Sequence, residues 1–127
     1  MGDLPPLKSE TFWAIIRGEI PDEMVNALVW NCLGYRYNSQ THQWDLSAVH
    51  PDWSSQYPEP PDFMGSRPAT VKLTRSIPAE DKQLLKERLG FEGYKVGELT
   101  PTLTRRATAV SWLLSYMHQQ EALEFGC

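Results

Sequence analysis

Cysteine, histidine and long apolar runs are all scarce in this sequence. Of its 127 residues only two are cysteines and three are histidines. Cys32 and Cys127 suit free thiols in a reducing compartment better than a disulfide, and the scattered His42, His50 and His118 give no metal-ligand spacing. No run of about 18 apolar residues is present to cross a bilayer, and the amino end lacks the profile of an export signal. We therefore expect a cytoplasmic protein without membrane insertion, metal or cofactor.

The overall composition is that of a folded protein. Hydrophobic residues make up 41% and charged residues 22% of the chain, both close to globular averages. A chain of 127 residues is the size of one ordinary domain. We expect a single compact soluble domain over residues 1–127, with short flexible ends at 1–6 and 120–127.

Charge is distributed unevenly along the chain. Residues 1–66 carry nine acids and three bases, whereas residues 67–106 carry nine bases and five acids, within a net charge of −4. Such a gradient indicates either that the two halves face each other in the fold or that the basic part binds an anionic partner. The negative total argues against a general binder of polyanions.

Four segments have the apolar spacing and the end signals of helices. The first begins at Ser9 and ends near Gly18, and the second begins after Pro21 and ends at Gly34. The third begins at Pro78 and ends at Gly90. The last begins at Thr100–Pro101 or at Thr104 and reaches about Gln119, and its wide apolar face predicts the central helix of the fold.

Two aromatic segments follow the second helix. Within residues 35–44, aromatic and polar side chains alternate on both sides of a polar turn. This pattern predicts a β-hairpin, although the loop contains no glycine. Residues 45–65 are rich in proline and aromatics. We expect Pro51 to open one helical turn, and residues 58–61 then to be extended. The segment should be a strap whose Trp53, Tyr57 and Phe63 cover the core, since a flexible linker would not place such side chains in water.

The stretch 66–77 separates the acidic half from the basic half. Its apolar residues lie two or four positions apart, which predicts a strand with Val71 and Leu73 in the core and Thr74 in water. The expected fold is α+β and mainly α, with about four helices and a small antiparallel sheet that this strand would extend. Three basic residues of the stretch are candidates for binding an anion or a partner: Arg67, Lys72 and Arg75.

Arg105 and Arg106 stand near the start of the last helix. Cations there oppose the helix dipole at about 0.3 to 1 kcal/mol each when exposed, so a negative group should compensate them. One alternative is an acid of the same chain, for which Glu59, Asp62 and Glu98 are candidates. The other is an external anion: a partner's carboxylate, a phosphate or nucleic acid.

No sequence motif indicates catalysis. The chain lacks a Gly-x-Ser-x-Gly elbow, and each histidine has a structural explanation. We predict a non-enzymatic protein-interaction or regulatory module with an unknown protein partner. The alternative is a nucleic-acid-binding regulator of helix-turn-helix type that uses the third and fourth helices, although the connection from Gly90 to Thr100 is longer than the usual turn.

Four strings of the sequence together resemble a known family. They are LGYRY at 33–37, YPEPPDF at 57–63, RPATVKLTRSIP at 67–78 and TRRATAV at 104–110. Over residues 4–117 the chain resembles a small cyanobacterial family catalogued as a domain of unknown function, number eighteen twenty-three. The resemblance implies a soluble protein of a phototrophic bacterium. It carries no catalytic or binding residue onto these positions.

Overall fold

The structure is a computed structural model that describes residues 4–94, 97 and 100–125, the last five of them as backbone alone. It contains six α-helices and one two-stranded antiparallel sheet. In chain order the elements are α1 (Ser9–Ile16), α2 (Asp22–Leu33), β1 (Arg36–Asn38), β2 (Gln43–Asp45), α3 (Pro51–Ser54), α4 (Arg67–Arg75), α5 (Leu84–Leu89) and α6 (Pro101–Phe125). A single 3-10 turn, Ala79–Asp81, lies between α4 and α5. The predicted α+β, mainly α class is confirmed.

Helix α6 is the centre of the fold, as its apolar face predicts. It packs against α1, α2, α4 and α5. Its Val110 and Leu113 are fully buried and share one apolar core with Phe12 of α1, Val29 of α2 and Leu73 of α4. Each such side chain stabilises the fold by about 1.5 to 3 kcal/mol through burial alone. Although α6 extends to Phe125, none of the described helices is apolar over a length that could cross a membrane.

The predicted hairpin forms, and a glycine leads into it. Gly34 ends α2 at φ 107°, and a Cβ there would collide with the backbone of Ala48, so only glycine fits. Tyr37 of β1 then pairs with Trp44 of β2. The loop needs no glycine because His42 itself adopts a positive φ of 55°.

The strap covers the core as expected. Trp53 and Phe63 are buried at 6% and 0% exposure, and their rings meet edge to face. The strap is held by Asn26 of α2, whose side chain accepts hydrogen bonds from the backbone N–H groups of Phe63 and Met64 and donates to Asp62. One buried amide therefore replaces the sheet or helix partners that this irregular backbone lacks.

The prediction of a strand at 66–77 is wrong, because this stretch forms α4. The side chain of Ser66 accepts from the N–H of Ala69 and so caps the helix, and Pro68 lies in the first turn. The buried face is Ala69, Thr70 and Leu73, whereas Val71 is 36% exposed. An apolar spacing of two or four residues is compatible with either element, and the start signal decides for the helix.

The number of helices also differs from the prediction of four. Helix α4 is additional, whereas the short α3 in the strap is the helical turn expected at Pro51. The predicted third helix is divided into the 3-10 turn at Ala79–Asp81 and α5, with Gln83 outside helical geometry between them. Helix α6 begins at Pro101 and extends beyond the expected Gln119 to Phe125.

The strap makes a first prediction for stability. Trp53→Ala should lower the free energy of unfolding by about 3 kcal/mol or more, because it empties a buried aromatic site. Tyr37→Ala is the matched control, since Tyr37 is 44% exposed and loses mainly its ring contact with Trp44, worth about 0.5 to 1.5 kcal/mol. Urea denaturation measures both variants. Equal losses would show that the strap does not seal the core.

Cys32 of α2 makes a second prediction, which concerns its reactivity. Burial raises the pKa of the Cys32 thiol from 9.0 to about 11, a shift that nearby Arg36 partly opposes. Because the folded pKa is the higher one, the stability that the neutral thiol contributes is complete below about pH 9 and is lost as the pH rises through about 11.

The reactive form of cysteine is the thiolate. In a Cys127→Ser background, Cys32 of the native protein should therefore react with iodoacetamide at pH 8 on the order of 100-fold more slowly than in guanidinium chloride. Mass spectrometry of timed samples gives both rates. Similar rates in the two conditions would contradict a buried, neutral thiol.

Candidate functional site

The main candidate site is an open groove between α4 and α6. Its volume is about 610 Å³. Both helices contribute to its walls, and the start of α6 forms one end. We call it the α4–α6 groove, and it is lined by Arg67, Thr70, Val71, Thr74, Thr100, Pro101, Thr104, Arg105 and Thr108.

Threonines dominate this groove, yet three of their hydroxyl groups are bonded to a backbone carbonyl four residues earlier, and that of Thr70 is bonded to the carbonyl of Phe63 in the strap. Thr74 donates to the carbonyl of Thr70, Thr104 to that of Thr100, and Thr108 to that of Thr104. A β-branched side chain whose oxygen is turned back to its own helix leaves its γ-methyl group as the free end. The threonine rows are consequently less polar than their composition suggests.

Val71 supplies the apolar floor of the groove. Among the described residues it is one of two large hydrophobic side chains that are at least 36% exposed, and the other, Tyr37, lies on the hairpin. Val71 cannot turn inward, because Thr70 and Leu73 occupy the buried face of α4. The groove therefore presents apolar surface to its surroundings.

Two arginines bring positive charge to this surface. Arg67 is exposed at the start of α4, and no acid in the described part of the chain pairs with it. Arg105 donates one hydrogen bond to the carbonyl of Met64 at 2.9 Å, which positions its guanidinium, and its other N–H groups have no partner among the residues that the structure describes. The groove thus combines an apolar floor with two cationic groups.

The structure separates the five basic residues that the sequence singled out. Arg67 and Arg105 line the groove, whereas Arg75 is exposed outside it. The ammonium of Lys72 bonds the carbonyl of Asp52 and the side chain of Gln56, and it lies 5.0 Å from the ring centre of Trp53. It therefore fastens the strap to α4.

Arg106 is not available to a partner. It is 5% exposed, and its guanidinium donates to the carbonyl of Ile15 at 3.1 Å and to the carboxylate of Asp22 at 2.6 Å. The compensating acid is thus internal, but it is Asp22 and neither Glu59 nor Asp62. The third candidate, Glu98, lies outside the described residues.

The groove residues that sequence reasoning missed are its threonines. Thr70 and Thr74 are four apart on α4, and the same spacing recurs in Thr100, which directly precedes α6, and in Thr104 and Thr108 of α6. This spacing places each set on one helix face. The sequence predicts a shared face for the threonines of α6. It does not predict one for those of α4, because that stretch is predicted as a strand.

A serine, a histidine and an aspartate also meet in this fold, without the geometry of a catalytic triad. Asp81 is 2% exposed, accepts a hydrogen bond from Ser115 at 2.7 Å and pairs with Nδ1 of His118 at 2.8 Å. Ser115 donates to the aspartate instead of the histidine, so the serine–histidine hydrogen bond of a catalytic triad is not formed. In the described part of the chain, no group of three potential metal-ligating side chains occurs either.

Comparison with known proteins places the chain in a family. The family profile described as a domain of unknown function, DUF1823, matches residues 6–118. The chain belongs to this family. It is also similar to a protein structure solved by NMR in solution, with 54% identity, a TM-score of 0.81, and coverage of 95% of this chain and 99% of that one. No curated protein matches. The fold of this DUF1823 chain is therefore shared with an experimental structure.

A substitution of Arg106 tests how much the buried guanidinium stabilises the fold. Arg106→Gln should lower the free energy of unfolding by about 2 kcal/mol or more, because the carbonyl of Ile15 loses a charged donor inside the fold. The loss stays below that of a fully buried pair, since the side chain of Asp22 is 51% exposed and can regain water.

The matched control is Arg75→Gln, which removes the same charge from the surface and should change stability by less than about 0.5 kcal/mol. Urea denaturation followed by tryptophan fluorescence measures both variants. If Arg106→Gln were as stable as Arg75→Gln, the buried guanidinium would contribute nothing net to the fold.

Proposed function

We propose that this DUF1823 protein is a non-enzymatic interaction module whose α4–α6 groove binds an acidic, amphipathic helical segment of a partner protein. The observation that carries the proposal is the exposed Val71 on the floor of a groove flanked by Arg67 and Arg105. Exposed apolar surface rimmed by polar groups is typical of protein-interaction sites.

The dimensions of the groove favour a short helix as the occupant. Helix α4 has nine residues, which corresponds to a length of about 14 Å, and the threonine row from Thr100 to Thr108 is of similar length. Two to three helical turns of a partner cover this distance. Rows of β-branched side chains at four-residue spacing also form the ridges between which a third helix packs.

Charge complementarity selects the chemistry of that helix. An apolar stripe would lie against Val71 and the threonine methyl groups, and aspartate or glutamate at its edges would meet Arg67 and Arg105. Arginine offers a planar, two-pronged donor set that matches a carboxylate. The helix-in-groove mode of recognition uses this combination of an apolar stripe with flanking charges.

The structure supports the nucleic-acid alternative less well. A recognition helix must present a free face to the DNA groove, whereas α6 packs against four other helices. Of the five basic residues considered for this role, Arg106 is buried and Lys72 is occupied by the strap. Origin in a phototrophic bacterium, cytoplasmic location and a single domain over 1–127 remain predictions from the sequence.

The proposal is tested by selecting peptides from a random 16-residue display library on the immobilised protein. We expect enriched peptides with apolar residues at helical spacing and flanking acids, and micromolar affinity by fluorescence anisotropy. Val71→Asp should weaken binding at least tenfold, because it places a negative charge on the apolar floor, where it repels the acidic peptide. Arg67→Gln should weaken binding several-fold.

Arg75→Gln is the control, since it removes a charge from the same helix outside the groove. It should bind the selected peptides within twofold of the wild type. Peptides that bind Val71→Asp as tightly as the wild type would place the interaction elsewhere. Micromolar binding of a 20-base-pair random DNA duplex at about 0.15 M salt, lost when Arg67, Arg75 and Arg105 are all glutamine, would instead establish the nucleic-acid alternative.

A further inference from the structure

A second cavity adjoins the α4–α6 groove. Its volume is about 640 Å³, and Arg105 lines both cavities. The second cavity lies between α2 and the strap, with the first turn of α6 at its end. We call it the acidic cleft, and it is lined by Asp22, Glu23, Asn26, Trp30, Pro60, Asp62, Met64, Gly65, Thr102 and Arg105.

The sign of the charge changes from the groove to the cleft. Of the three carboxylates in the cleft, Asp22 pairs with Arg106, and Asp62 accepts hydrogen bonds from Asn26 and from the N–H of Gly65. Glu23 is exposed, and no base in the described part of the chain pairs with it. Arg105 also lines the cleft but forms no ion pair with these carboxylates in the described part of the chain, so two unneutralised carboxylates face one cation and the cleft keeps negative charge.

An aromatic ring completes the cleft. Trp30 donates its indole N–H to the carbonyl of Pro61 at 2.6 Å and packs edge to face on Trp44, so the ring is held against the strap where it lines the cleft. Carboxylates beside an indole ring suit a guanidinium or ammonium group, which gains ion pairing and cation–π attraction at once. A basic side chain is the matching ligand.

We infer that groove and cleft together bind one continuous, bipolar segment of a partner protein. Its acidic, apolar helix lies in the α4–α6 groove, and an arginine or lysine beyond the end of that helix lies in the acidic cleft against Glu23 and Trp30. This inference rests on the proposed function for the groove half alone. Because the two ends of the site have opposite charge, the segment can bind in one direction only.

The cleft can be tested without any partner by titrating n-butylguanidinium, a mimic of the arginine side chain, and recording ¹⁵N NMR spectra. The indole N–H signal of Trp30 and the amide signal of Gly65 should shift saturably, with a dissociation constant in the millimolar range. Glu23→Gln should weaken this binding at least threefold. Glu59→Gln, which removes an exposed acid of the strap outside the cleft, should leave it unchanged. A titration without saturable shifts, or one insensitive to Glu23→Gln, would overturn the inference.

Peptide selection then separates the cleft from the groove. On the wild type, enriched peptides should carry a basic residue beyond one end of the acidic, apolar helix. On Glu23→Gln the basic residue should lose its enrichment while the helix pattern stays. Helices enriched without a basic residue would refute the bipolar segment and leave the groove intact. Binding of n-butylguanidinium without any groove-directed peptide would refute both the continuous segment and the proposed function, leaving an isolated cation site.

Discussion

The buried guanidinium of Arg106 is the contact on which the arrangement of the helices depends. It extends from α6 to the carbonyl of Ile15 at the end of α1 and to Asp22 at the start of α2. One side chain thus joins three helices at the turn between the first two. Because successive helical residues point about 100° apart, burying Arg106 directs Arg105 toward Met64 and the surface. The internal ion pair therefore determines which arginine is left for binding.

A second buried polar side chain, Asn26, positions the strap next to the proposed binding surface. Asn26 lies in the same helix as Asp22 and fixes the backbone of Phe63 and Met64. The strap that it holds forms one wall of the acidic cleft, and the carbonyl of Met64 is the group that positions Arg105. Two buried polar side chains, each hydrogen-bonded to more than one partner, thus connect the interior of the fold with both halves of the proposed binding surface.

The sequence predicts those parts of the fold whose signals are local. Helix α2 follows from Pro21, its apolar stripe and Gly34, and the hairpin follows from alternating aromatics. The prediction of a strand in place of α4 is wrong because it rests on apolar spacing alone, whereas Ser66 and Pro68 are signals of a helix start. The partner of Arg106 could not be predicted, since Asp22 is 84 positions away and its approach depends on how α1 and α2 pack against α6. The groove shares this limitation, because its two walls are distant in the chain.

The charge gradient along the sequence receives a structural explanation in two parts. Where Asp22 of the acidic half meets Arg106 of the basic half, the gradient is neutralised inside the fold. Arg67 and Glu23 remain without a partner in the described part of the chain and line two cavities that share Arg105. If attraction between the two halves were the sole role of the gradient, pairing Arg67 and Glu23 with opposite charges would stabilise the fold further. Their separation along one surface is instead what directional recognition of a bipolar ligand requires, because opposite ends of opposite sign penalise the reversed orientation.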